Sequence, residues 1–117
     1  MDRQKIRINL HKKPFVKKGW KTLSLFSKMK GLLGTPSLKD GEGILIPDCK
    51  QVHTWFMKYS IDVIFLDSKN VVIKTQTLKP WKFSPWIFRA KSVLEVPAGY
   101  AKKNSLKKGE KLEVIES

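Results

Sequence analysis

The first clear alternation in the chain is KIRINL, residues 5–10, where Ile6, Ile8 and Leu10 take every second position. A period of two predicts a strand with those side chains facing a core. WKTLSLF (20–26) reads as a second strand; Ser27 suits a helix N-cap, and KMKGLLG (28–34) fits one or two helical turns ended by Gly34 and Pro36. KDGEG (39–43) is a turn, and ILI (44–46) is a short buried strand stopped by Pro47. From Trp55 onward the odd positions hold Trp, Met, Tyr, Ile, Val and Phe, while the even ones are mixed. That pattern predicts an extended segment with one buried face, buried on both faces near Ile64 to Leu66. Ser68-Lys-Asn70 is a turn that returns VVIKTQTL (71–78) as a hairpin partner, so that Ile64 and Phe65 pair antiparallel with residues 71–76. SVLEV (92–96) and KLEVIE (111–116) are further strands, and AGYAKKNSL (98–106) a short helix. Many short strands with one or two short helices predict a mainly β (α+β) fold, a small barrel-like or sandwich-like antiparallel domain.

Composition narrows the class. The 117 residues are enough for one domain, 1–117, with a real core. Hydrophobic residues make up 41% of the chain, with four Trp, two Tyr and six Phe, which indicates a folded chain. No apolar run approaches the roughly 20 residues of a membrane span. The basic start, MDRQKIRINLHKKPFVKKGW, never enters the apolar stretch of a signal peptide. The single cysteine, Cys49, excludes an internal disulfide. The expectation is a cytoplasmic protein with no transmembrane segment and no cofactor. Charge adds to this picture: 24 Lys and Arg against 10 acids give +14. Beyond position 7, Arg89 is the sole arginine. Lysine is a hydrated point charge poorly suited to bidentate readout, so weak, sequence-independent attraction to polyanions is expected.

GLLG (31–34), GILI (43–46), CKQVHTWFMKYSIDVIFLDSKNVV (49–72), LKPW (78–81), VLEVPAG (93–99) and LKKGEKL (106–112) follow one another in order. This series resembles the prokaryotic family known as domain of unknown function 192, over about residues 22–116. The long block is similar to the branch in which Cys-x-x-x-His precedes an aromatic-Met-basic core. The resemblance implies a small β-rich domain, often secreted or anchored, without an established activity. This chain differs from many members in its lysine content, and its basic start leads to the expectation that it has no signal peptide.

Four constellations carry candidate chemistry. Cys49, His53 and Met57 are spaced like soft metal ligands. In extended chain, however, four residues span ~13 Å, too far for ligands that each sit ~2 Å from one ion. The other histidine, His11, lies among lysines that repel a cation, so no metal is expected. Cys49 with His53 could also serve as a reactive thiol and its base, which makes a Cys/His-dependent enzyme the alternative to a non-catalytic binding module. His53, Trp55, Lys58 and Asp62, with Glu95 as a cross-sheet partner for Lys58, could form a polar mouth for a small anionic ligand beside an aromatic wall. Finally, KPWKFSPWIFRAK (79–91) interleaves aromatics with cations, and Lys79, Trp81, Lys82, Trp86 and Arg89 are its polyanion-binding candidates. Such interleaving suits stacking on single-stranded bases or insertion at an anionic bilayer surface. The favoured expectation places the aromatics in the core and the lysines in solvent.

Overall fold

Ile6, Ile8 and Leu10 do turn to one side, and they do so inside a barrel. In the computed structural model, residues 3–22, 38–55 and 57–116 are described. Seven strands form one sheet: β1 (Arg3–Leu10), β2 (Lys13–Thr22), β3 (Glu42–Pro47), β4 (Ile61–Leu66), β5 (Val72–Leu78), β6 (Ser92–Pro97) and β7 (Leu112–Glu116), with the single helix among the described residues, α1 (Tyr100–Lys103), between the last two. Their order across the sheet is β5-β4-β6-β3-β2-β1-β7. The outermost strands meet again at a Val71–Lys111 bridge. There the Val72 N–H donates to the Glu110 carbonyl (2.8 Å) and the Leu112 N–H to the Asn70 carbonyl (2.9 Å). The outermost strands thus meet at one end, which covers part of the edges a flat sheet would present.

Closure requires curvature, and β1–β2 supplies some of it. Their register slips on both sides of Ile8, and such irregularities bend and twist a ribbon. The pairing of β2 with β3 needs close approach, because Gly19 stands opposite Gly43. A Cβ on Gly19 would lie 2.9 Å from Val16 Cγ1, and one on Gly43 3.1 Å from Val16 Cγ2. Val16 therefore occupies the space that two side chains would need. This β2–β3 pair is parallel, the one departure from the antiparallel arrangement among the described strands.

Two apolar clusters share the sheet. The barrel interior is filled from β1, β2 and the neighbouring strands by Ile6, Ile8, Phe15, Leu45, Ile64, Leu94 and Leu112, among others. Tyr100 and Ala101 of α1 join this interior. The Tyr100 ring lies 5.1 Å from that of Phe15, and its hydroxyl donates to the Phe15 carbonyl at 2.6 Å. The outer cluster covers the other face of β3, β4 and β6 with Val52, Met57, Phe65, Leu78 and Ala90. β4 serves both clusters, so all six of its residues are buried. Ile64 and Phe65 pair with Thr75 and Lys74, as the turn at 68–70 requires.

Some sequence expectations meet a different outcome. β2 starts at Lys13, well before the WKTLSLF stretch. Residues 23–26 of that stretch, the helix expected from Ser27 to Gly34, and Phe56 lie outside the described residues. The extended segment from Trp55 is not one strand, because the chain turns through residues 57–60 and β4 begins only at Ile61.

Candidate functional site

Residues 49–55 and 79–91 run antiparallel outside the sheet and bind each other. His53 bridges Phe83. The Thr54 N–H donates to the Lys82 carbonyl (2.9 Å) and the Ser84 N–H to the Val52 carbonyl (2.8 Å). In such a pair successive side chains take opposite faces. Val52, Thr54 and Ser84 are buried, with Val52 in the outer cluster, whereas His53 and its alternating neighbours Trp55, Trp81 and Phe83 turn outward. At 81–84, against the expectation that the aromatics face inward, Trp81 and Phe83 face out while Ser84 is buried. Trp55, expected in the core, is 41% exposed.

Thr54 holds the two segments together. It is fully buried, and its hydroxyl donates to the Lys79 carbonyl at 2.6 Å while accepting the Lys82 N–H at 2.9 Å. Its own carbonyl accepts the Trp81 N–H at 2.9 Å. Between those anchors Trp81 adopts φ 64°, a left-handed conformation that is costly for a bulky side chain and recurs at functional sites. Ser84, also buried, accepts the Val52 N–H at 3.0 Å and donates to the Pro85 carbonyl at 2.9 Å. Lys50 donates to the carbonyls of Phe88 (2.7 Å) and Ala90 (2.6 Å), and its ammonium lies 5.7 Å from the centre of the Phe88 ring. None of Thr54, Ser84 or Lys50 stood out in the sequence. A buried hydroxyl inside an aromatic run is the only hint it offers.

The result is a ribbon that presents aromatics to solvent: Trp81 is 58% exposed, Phe83 58%, Trp86 62% and Phe88 79%. This corrects the expectation that they belong to the core. Ile87 and Ala90 instead fill the space beneath the ribbon. His53 packs against Trp55 (5.3 Å) and Phe83 (6.3 Å), and Trp55 and Phe83 meet edge-on at 5.0 Å. Lys79, Lys82, Arg89 and Lys91 are all exposed beside them. From Ser68 to Leu94 the chain carries no Asp or Glu, and none occurs from Cys49 to Ile61.

The other expected constellations are not assembled in the same way. Asp62 is buried on the barrel side; it accepts the Thr77 hydroxyl (2.6 Å) and the Ala101 N–H (3.1 Å), so it pins β5 and the start of α1 to β4. Glu95 stands opposite Val63 and Ile44, which places its fully buried side chain on the outer face. One residue faces in and the other out, so the sheet itself separates Asp62 from Glu95. Lys58 is exposed and forms no ion pair among the described residues, so the expected Lys58–Glu95 partnership is not formed. Burial, with the nearby charges of Glu95 and Glu42, pushes the Tyr59 phenol up from its usual range. Met57 is buried in the outer cluster. The half-buried Cys49 thiol donates to the Gln51 carbonyl at 3.2 Å, a contact made by the protonated form. His11 pairs with Glu110.

A cleft of about 250 Å³, not foreseen from sequence, lies where β2, β3, β6 and β7 meet the turn after β4, lined by Lys21, Asp48, Asp67, Lys91 and Glu116 among others. Its charges largely neutralise one another: Lys91 pairs with Asp48 (2.6 Å) and Lys21 with Glu116 (3.2 Å). Both carboxyls are held below their usual range by those lysines, first through the hydrogen bond each accepts. A charged ligand would have to displace these pairs, which makes the cleft a weaker candidate than the ribbon.

Known proteins match this picture of the fold. A UPF0127 protein of Pyrococcus abyssi is 44% identical over 64 residues, 55% of this chain and 55% of that one. A UPF0127 protein of Thermococcus sibiricus is 34% identical over 80 residues, 65% of this chain and 52% of that one. The chain thus spans about half the length of the curated relatives it matches. The crystal structure of a protein of unknown function from Novosphingobium aromaticivorans superimposes with a TM-score of 0.76 at 20% identity, covering 95% of this chain and 84% of that one. No helix among the described residues is long and apolar enough to cross a membrane. The model of the DUF192 family, described as uncharacterised ACR, matches residues 23–114. With the ordered motifs, that match settles the kinship: this chain belongs to the domain of unknown function 192 family.

Proposed function

We propose that the protein is a small non-catalytic binding module that docks on extended anionic surfaces through the ribbon of residues 49–55 and 79–91. The observation that supports this reading is the exposure of Trp81, Phe83, Trp86 and Phe88 beside Lys79, Lys82 and Arg89, on chain segments free of acids. Large aromatics left in solvent on a well hydrogen-bonded scaffold are a cost to a free monomer, and such patches mark interaction surfaces. The surrounding cations set the sign of the partner. With lysine predominating, attraction is long-ranged and tolerant of sequence.

The test is a salt titration of binding to mixed-sequence single-stranded and duplex oligonucleotides, used here as soluble polyanions. Both should bind weakly at low salt, whatever their sequence. On the duplex, affinity should fall with a log–log slope near −0.9 for each phosphate neutralised. Salt-insensitive, sequence-selective binding, or none at low salt, would refute the reading.

A further inference from the structure

We infer that the anionic surface this ribbon meets is a lipid bilayer, with Trp81, Trp86 and Phe88 entering the headgroup region. The inference rests on the docking role proposed above and names its partner. Three observations favour lipid over nucleic acid. First, stacking on bases needs open ring faces, and several here are engaged. Trp55 and Phe83 pack edge-on at 65°, His53 lies against both, and the Lys50 ammonium sits over Phe88. Insertion into a headgroup layer needs only protruding apolar volume.

Second, the ribbon satisfies much of its own backbone. The carbonyls of Lys79, Lys82, Ser84, Pro85, Phe88 and Ala90 all accept hydrogen bonds, from Thr54, Gln51, Ser84 and Lys50. Leaving water is expensive for an unpaired peptide group, so a segment that arrives with these groups paired enters a half-dry layer at lower cost.

Third, tryptophan and phenylalanine occur here between Lys79, Lys82 and Arg89, on segments that carry no acid of their own, and Asp48 takes up only the Lys91 charge at their end. That combination suits the boundary of an anionic bilayer, where rings lie at headgroup depth and lysine stems reach back to the phosphates. The raised exposure of Phe88 and Trp86 marks the end of the ribbon that enters first.

The experiment uses the full chain and vesicles of phosphatidylcholine, with or without a minority of phosphatidylglycerol, some carrying acyl-chain bromine to quench buried tryptophan. The protein should bind the anionic vesicles and not the neutral ones, and brominated lipid should quench its fluorescence. A Trp86→Ala/Phe88→Ala variant should keep its thermal midpoint, because both side chains are exposed. It should bind anionic vesicles at least about 10-fold more weakly, given the apolar area removed. If oligonucleotides bind with steep salt dependence and anionic vesicles do not, the lipid inference fails while the docking role stands. Tryptophan quenching on single strands without quenching by brominated lipid would make nucleic acid the occupant. Vesicle binding without quenching, unchanged in the variant, would mean adsorption without insertion and overturn the inference. Binding to neither partner would remove both proposals.

Discussion

Thr54 shows how one buried hydroxyl can organise a surface several residues long. Its hydroxyl bonds Lys79 and Lys82 on either side of Trp81, and its carbonyl takes the Trp81 N–H. The left-handed backbone of Trp81, a strain of order 1–3 kcal/mol, persists because these neighbours over-determine it. Thr54→Val keeps the shape and removes the hydroxyl, stranding the Lys79 carbonyl and the Lys82 N–H. A loss of about 1–3 kcal/mol is expected in denaturant melts, together with faster proteolysis within 79–91. A variant with native stability and native protease resistance would mean that Thr54 is not the anchor. Sequence could not single this residue out, since a threonine between a histidine and a tryptophan carries no sign of the chain it will meet 25 residues later.

The hairpin of β4 and β5 was readable because its signals are local. Two apolar runs flank Asp67-Ser-Lys-Asn70, and Asn70 supplies the positive φ (62°) that the turn needs. The Asp67 carboxylate accepts the N–H groups of Lys69 (2.8 Å) and Val71 (3.0 Å). Those bonds, Val71's first, hold the Asp67 carboxyl below its usual range. A carboxyl depressed in the folded state stabilises the fold above its unfolded pKa of about 3.9, and that contribution is lost as pH falls through the lower folded value. Asp67→Asn, which cannot titrate, should therefore show a shallower loss of stability on acidification below about pH 4 than the parent. Parallel pH profiles for parent and variant would contradict the assignment. The ribbon was harder to read for the opposite reason. Its alternation is as regular as that of a core strand, and only tertiary pairing decides that Val52, Thr54 and Ser84 face inward. Likewise the period of β4 and β6 could not reveal that Asp62 and Glu95 point to opposite faces, because that depends on cross-strand register.

Taken whole, the described residues combine a barrel-like sheet, packed inside by its own apolar side chains, with an external ribbon that leaves Trp81, Phe83, Trp86 and Phe88 exposed. A net charge of +14 draws anions to all sides of so small a domain, so the central claim is that docking is local to the ribbon. Charge relocation tests this most directly. Lys79→Glu/Lys82→Glu on the ribbon and Lys102→Glu/Lys108→Glu outside it lower the net charge equally, and all four lysines are exposed. Their affinities for one mixed-sequence single-stranded oligonucleotide, measured at the same low salt, separate a site from a field. The ribbon variant should bind at least about 10-fold more weakly than the outside variant, because adjacent charges act at contact while distant ones are screened. Equal losses in the two variants would show that net charge alone carries the binding and that the ribbon is not the docking surface.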